Sequence, residues 1–264
     1  MLTERICEDD GALSPPAELS GALATVASVI TGDPQVMRMS WLDLAFLNWP
    51  VRARVLRQTL PPGVELDCFE GQAWLSLVSF QMAGVGVRGV PDLPGVSVFP
   101  ELNLRTYVLV DGIPAVWFYS LDADQRVAVE FGRRLYHLPY YRARISIWQE
   151  QDWLRYESVR THPGSPAAEF RGRYRPLGES VPAPAGSLAD WLTNRLAFVT
   201  ATRSGRVYRC SVRHSPWPLQ AGEAEITTNS VCSIGLGLEP DGAPLVYFSR
   251  TLEVTGGLIR RVAD

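Results

Sequence analysis

Apolar and polar residues alternate along most of the chain after residue 37, and this period of two predicts a succession of short β-strands. The alternation is plain at 42–46 and 142–148. Glu70-Gly71, Asp111-Gly112 and Ser204-Gly205 separate paired segments and predict hairpin turns. Further strands are expected at 64–69, 72–82, 102–110, 115–119, 153–160, 168–174, 197–202, 206–213, 245–249 and 252–259.

Three short helices interrupt the strand pattern. We expect them at 52–60, at 123–138 with Ser120 or Asp122 as N-cap, and at 188–195. The glycine-rich segment 84–94 and the proline-rich segment 176–186 are expected to be loops. The chain shows no repeats and no alternating βαβ units. It is therefore predicted to be an α+β protein dominated by a mostly antiparallel β-barrel.

Residues 1–36 have weak periodicity and a Pro15-Pro16 pair, so we expect an N-terminal extension with a short helix at 17–30, and a barrel domain over 37–264. The apolar run 19–30 is too short to span a bilayer and follows acidic residues, which excludes a signal peptide or membrane helix. A net charge of −3 gives no reason to expect nucleic acid or a membrane surface as a partner.

The four cysteines are scattered, with no CxxC pair and no histidine at metal-ligand spacing. We therefore expect neither a disulfide framework nor a metal site, and a reduced cytoplasmic protein is the default. No cofactor is expected, and a homo-oligomer is possible.

The composition contains no lysine, so all 25 of the Lys and Arg residues are arginine. A guanidinium does not deprotonate at working pH and is no nucleophile toward a carbonyl. Schiff-base lyases, aldolases, pyridoxal enzymes and P-loop nucleotide hydrolases are excluded together. A codon bias that replaces surface lysine with arginine explains most of these residues, but the chemical exclusion holds either way.

The strand at 102–110 carries the most chemistry. Its period of two places Asn103, Arg105 and Tyr107 on one face, and Glu101 joins them at the start of the strand. An acid, an amide and a guanidinium on one face can hold a small carboxylic acid or carbonyl compound. The competing interpretation is that Glu101 and Arg105 simply pair with each other inside the barrel.

Longer motifs resemble a known family. They are WLDLAFLNWPV at 41–51, FPELNLRTYV at 99–108, WFYSLDADQRVAV at 117–129, RRLYHLPYYRA at 133–143 and VYRCSVRHSPWPLQ at 207–220. They are similar to the YqjF-like family of uncharacterised bacterial proteins, over nearly the whole chain after residue 40. That resemblance implies the acetoacetate decarboxylase-like fold, a cone-shaped antiparallel barrel with an internal pocket.

The resemblance also implies where a site would lie. In acetoacetate decarboxylases a helix ends in a turn that carries the Schiff-base lysine, and GRRLYHLPYYR at 132–142 resembles that helix end. Tyr140 and Tyr141 then stand where the lysine pair would be, with Arg133 nearby, and Glu101 corresponds to a pocket glutamate. A phenol can donate a hydrogen bond, or act as a general acid if a cation lowers its pKa, but it forms no imine.

These residues lead to two main hypotheses. In the first, an enzyme uses Glu101, Tyr140 and His137 for acid/base chemistry on an oxo- or hydroxy-acid held by Arg105, Asn103, Tyr141 and Arg133. In the second, the same pocket binds or senses a small acid without reaction. His137 can instead bond a helix-end carbonyl. A weaker third hypothesis is an interaction protein that uses the N-terminal extension.

Overall fold

The computed structural model describes residues 32–91, 97–233 and 236–262. The predicted helix at 17–30 lies outside the described residues. The described chain is mostly β-structure with three short helices, α1 (Ala53–Arg57), α2 (Arg126–Leu135) and α3 (Leu188–Thr193). The strands are β1 (Gln35–Val51), β2 (Glu65–Leu66), β3 (Ala73–Val87), β4 (Phe99–Val110), β5 (Ile113–Ala123), β6 (Tyr140–Glu150), β7 (Trp153–Arg160), β8 (Glu169–Pro182), β9 (Ala197–Ala201), β10 (Val207–His214), β11 (Pro218–Asn229), β12 (Leu245–Gly257) and β13 (Arg260–Arg261).

All the strands belong to one 13-stranded sheet that closes on itself. Neighbouring strands are antiparallel, apart from β5–β6 and β5–β9, which are parallel. Pairing of β5 with β4 closes one ring through β6, β7, β8, β11, β12, β1 and β3. Pairing of β10 with β12 closes a second ring through β9, β5, β4, β3 and β1. The prediction of a mostly antiparallel α+β barrel is confirmed.

The two rings share the wall formed by β12, β1, β3, β4 and β5, so both faces of this wall are buried. In β4, Leu102 and Leu104 point into the core that β6, β7 and β8 help to form. Phe99 and its alternate neighbours point to the opposite side, into the second ring. This arrangement explains why β4 is buried along nearly its whole length, and why its polar residues lie inside the protein.

Helix α2 begins later than predicted and exposes part of its apolar face. Gln125 is the N-cap, and its side chain accepts a hydrogen bond from the amide of Val127. The expected caps are wrong because Ser120 and Asp122 both belong to β5, which continues to Ala123. The apolar side chains of Val127, Phe131 and Leu135 are exposed.

Two expectations in the second half of the chain are also wrong. The proline-rich segment 176–186 is not a loop throughout, since β8 runs to Pro182 and pairs with β11. Proline is tolerated there because β7 pairs with β8 only from Glu169 to Tyr174, which leaves one edge of the later residues open. The strands expected at 245–249 and 252–259 form the single strand β12, and β11 was not predicted.

The cysteines depart from the expectation of a reduced chain. Cys68 is disulfide-bonded, whereas Cys210 and Cys232 are free and buried. Within 32–91, 97–233 and 236–262, no helix is long and apolar enough to cross a membrane.

Candidate functional site

A cavity of about 340 Å³ lies within the ring formed by β1, β3, β4, β5, β9, β10 and β12. Glu101, Asn103 and Arg105 enter it from the inward face of β4. Their partners on β3 are Phe80, Val78 and Ser76, so the three polar side chains occupy successive levels along the cavity. The remaining wall is largely apolar and aromatic.

Glu101 is the buried acid of this cavity, with a side chain that is 1% exposed. The Tyr140 hydroxyl donates a hydrogen bond to Glu101 Oε2 at 2.9 Å. Burial raises the pKa of Glu101 to about 7, because the carboxylate loses its hydration. Hydrogen bonds from Tyr140 and Asn103 lower this pKa, and the nearby charge of Asp122 raises it, but desolvation is the largest effect.

Tyr140 is held in place by the end of α2 and the start of β6. Its backbone pairs with Leu121 of β5, and its carbonyl accepts a hydrogen bond from Arg133. Burial and the adjacent Glu101 carboxylate raise the pKa of Tyr140 well above its ordinary value. Tyr140 is therefore protonated and donates its hydrogen bond to Glu101.

Arg105 carries a positive charge with no carboxylate partner in the part of the chain that the structure describes. Its Nη2 donates to the carbonyl of Leu192 near the end of α3 at 3.1 Å, and its guanidinium lies 5.4 Å from the ring centre of Phe46. Its Nε is buried and has no hydrogen-bond partner. No ion pair joins Arg105 to Glu101 over the described ranges. The pairing that competed with a binding role is therefore not observed.

Asn103 lies between these two charged residues. Its side chain donates toward Glu101, while its Oδ1 is buried without a partner. Asn103 and Arg105 thus bring an amide and a guanidinium to the cavity wall on the same face of β4 as Glu101. A carboxylic acid or hydroxy-carbonyl compound has the matching groups.

The other residues proposed from the sequence do not line this cavity. Tyr141 points to the opposite side, where its ring lies 4.1 Å from the guanidinium carbon of Arg160 and contacts His162. Arg133 is bound to the Tyr140 carbonyl. His137 has a positive φ of 54°, its carbonyl accepts a bond from Thr200, and its ring faces Tyr208.

Sequence reasoning missed the aromatic wall of the cavity. Trp41 and Trp217 stack with ring centres 5.8 Å apart, and Trp217 also contacts Phe46 edge to face. His214 contacts both indoles, and burial lowers the pKa of its imidazole. The rigid His214-Ser215-Pro216-Trp217-Pro218 turn was a signal for this cluster, but its contact with β1 depends on the closure of the ring.

Replacement of Gly132 tests how tightly Tyr140 is held. A Cβ added at Gly132 would lie 2.5 Å from the ring of Tyr140. Gly132→Ala should therefore lower the unfolding free energy by about 1–2 kcal/mol, because the clash exceeds the gain in helix propensity. Urea unfolding measures the loss, and Gly256→Ala is the control, since its Cβ would meet Met37 at an ordinary 3.6 Å. Equal stabilities of the two variants would contradict this packing.

Comparison with known proteins identifies relatives of the chain. Residues 38–253 match the model of the DUF2071 family, described as an uncharacterized conserved protein. The uncharacterized protein YqjF of Bacillus subtilis (strain 168) is 40% identical over 220 residues, which cover 83% of this chain and 89% of that protein. These matches confirm the resemblance found in the sequence motifs.

Solved structures share the fold at low sequence identity. An acetoacetate decarboxylase-like enzyme from Sphingomonas wittichii RW1 matches with a TM-score of 0.63 and 14% identity, over 88% of this chain and 94% of that one. The enduracididine biosynthesis enzyme MppR, complexed with pyruvate, matches with a TM-score of 0.62 and 17% identity, over 88% of this chain and 91% of that one. At these identities the likeness is one of fold.

Proposed function

Because the chain belongs to the DUF2071 family of uncharacterized conserved proteins and shares the acetoacetate decarboxylase-like fold, we propose that it is an enzyme of acid/base, lyase-type chemistry on a small oxo- or hydroxy-acid. The observation that carries this proposal is Glu101, a buried carboxyl group that lines a cavity and has a pKa of about 7. A general acid or base works best when its pKa lies near the working pH.

Three polar residues of the cavity, Arg105, Glu101 and Tyr140, have a role in this reaction. Arg105 binds the substrate carboxylate, since it lines the cavity and no carboxylate of the described residues pairs with its charge. Glu101 in its ionised form removes a proton from the carbon beside the substrate carbonyl. The protonated Glu101 then returns a proton to the same carbon, so the carboxylate is regenerated. Tyr140 donates a hydrogen bond to Glu101 throughout and holds the carboxyl group in position.

This chemistry does not involve a covalent intermediate between the substrate and a lysine amine. The chain contains no lysine, so the imine route of acetoacetate decarboxylases is closed. The pyruvate complex of MppR supports the class of ligand, because it is a small oxo-acid bound to a protein of the same fold.

The second candidate is a protein that binds or senses such an acid without reaction. It is favoured by the bond from Tyr140, which already occupies one oxygen of Glu101. In this case Glu101 would only contribute to recognition of the ligand.

Deuterium exchange separates the two candidates. The protein is incubated with pyruvate or oxobutanoate in heavy water, and proton NMR follows loss of the signal from the carbon beside the carbonyl. We expect the wild type to accelerate exchange, and Glu101→Gln to reduce the rate by about 10²–10⁴-fold. Arg105→Ala should raise the substrate concentration at which the exchange rate is half-maximal. Equal exchange rates for the wild type and Glu101→Gln would refute the proposal that the protein is an enzyme using Glu101. Binding of the acid without exchange would support the second candidate.

A further inference from the structure

We infer that the ligand of this cavity is an acid with an extended apolar tail. The tail lies between the polar residues of β4 and the mouth of the cavity. The inference rests on the proposed function, because the head group is taken to bind at Glu101 and Arg105. It adds the part of the ligand that the polar residues do not contact.

The strand register orders the cavity from its polar part to its mouth. On β3, Phe80 pairs with Glu101, Met82 pairs with Phe99 and Trp41, and Val87 pairs with Met37. From Phe80 to Val87 the strand extends by about 23 Å at roughly 3.3 Å per residue. The lining residues at these levels include Met37, Met39, Met82, Val85 and Phe99. An acid as short as pyruvate would occupy only the polar part and leave this apolar length unfilled.

The volume of the cavity supports a larger ligand. A cavity of about 340 Å³ lies within the range of roughly 300–1,000 Å³ that is typical of sites for drug-sized ligands. Burial of an alkyl chain against these apolar side chains is favourable, because it removes apolar surface from water. A second polar group of the ligand would find few hydrogen-bond partners there. The volume and the wall therefore both favour an acid with a tail over a compact, polar acid.

The mouth of the cavity is also apolar. Val87 is 46%, Val90 51%, Val127 58% and Phe131 40% exposed, and all four line the cavity. They come from the end of β3, the turn that follows it and α2. Exposed apolar residues around an opening mark a binding site for an apolar group. Val127 and Phe131 therefore place two of the exposed apolar residues of α2 at the opening.

A chain-length series tests the inference on the full chain. Calorimetric titration measures the affinities of the straight-chain α-oxo acids oxobutanoate, oxohexanoate, oxooctanoate and oxodecanoate. We expect the affinity to rise about fourfold for each methylene that enters the apolar part, until the cavity is filled. Affinities that do not rise with chain length would overturn the inference, whatever the variants show.

A wall variant locates the tail. Val85→Trp narrows the cavity above Glu101, so it should weaken oxodecanoate by at least tenfold and leave oxobutanoate within about twofold. Val159→Trp on β7, outside the cavity, is the matched control and should change neither affinity. Equal weakening of all four acids by Val85→Trp would contradict the placement of the tail.

The outcomes distinguish this inference from the proposed function. Affinity that depends on chain length without deuterium exchange leaves the tail in place and refutes the enzyme. If short oxo-acids exchange but affinity does not depend on chain length, the proposed enzyme stands and the apolar tail is refuted.

Discussion

Arg160→Met is expected to lower the unfolding free energy by about 3–5 kcal/mol at neutral pH, because it leaves a buried carboxylate without its partner. Arg160 Nε and Nη2 donate to the two oxygens of Asp122 at 2.8 and 3.0 Å. The two side chains are 3% and 1% exposed. Burial already raises the pKa of Asp122, and the arginine opposes that shift. Removal of the arginine should raise this pKa further, so the loss of stability should be smaller in acid, where Asp122 can be protonated.

Urea unfolding at several pH values measures this effect, with two controls. Asp122→Leu with Arg160→Met removes both charges and should recover most of the loss, since a buried ion pair adds little over apolar residues of similar volume. Arg134 pairs with Glu130 at the surface, and the Arg134 side chain is 78% exposed. Arg134→Met should therefore change the unfolding free energy by less than about 1 kcal/mol. A loss below 1 kcal/mol for Arg160→Met would show that Asp122 does not depend on this partner.

The ion pair also shows where sequence reasoning ends. Asp122 and Arg160 belong to β5 and β7 and meet only because β6 lies between those strands. Their pairing therefore depends on the register of three strands. Local pattern assigned Asp122 to a helix cap, since an aspartate before an apolar helical pattern is a typical cap. The pattern did not reveal that β5 continues to Ala123.

Within a single strand, the pattern was sufficient. A strand alternates with a period of two, so the sequence alone could place Asn103 and Arg105 on one face, and the antiparallel barrel followed from many short strands and hairpin turns. The resemblance of the helix-end motif to that of acetoacetate decarboxylases led to Tyr140. Consecutive residues of a strand point to opposite sides, which is why only one of Tyr140 and Tyr141 reaches the cavity.

Features made by ring closure could not be predicted. β11 has charged, small and apolar residues with no strict alternation, and its pairing with β8 and β12 defines it as a strand. The aromatic wall joins Trp41 of β1 to Trp217, far along the chain. An apolar stripe on a helix ordinarily indicates burial against a core, but on α2 Val127 and Phe131 are exposed and line the cavity.

The stability of the protein should also depend on pH through Glu101. The pKa of this carboxyl group is about 7 in the folded chain, compared with an ordinary value of 4.5. Between these values the folded state retains a proton that the unfolded state has released, so the unfolding free energy falls as pH rises. The contribution of the protonated group is complete below pH 4.5 and is lost as pH rises through about 7. The whole change amounts to about 3 kcal/mol.

Glu101→Gln isolates this contribution, because glutamine has nearly the same shape, can accept the Tyr140 bond and does not titrate. Relative to the wild type, the variant should gain about 3 kcal/mol of unfolding free energy between pH 4.5 and pH 8. Asp122 titrates in both proteins, so its effect largely cancels in the difference. Glu65→Gln, at an exposed position on β2, is the matched control and should follow the wild type. If Glu101→Gln also followed the wild type across this range, Glu101 would not hold its proton near neutral pH, and the acid/base role proposed for it would lose its basis.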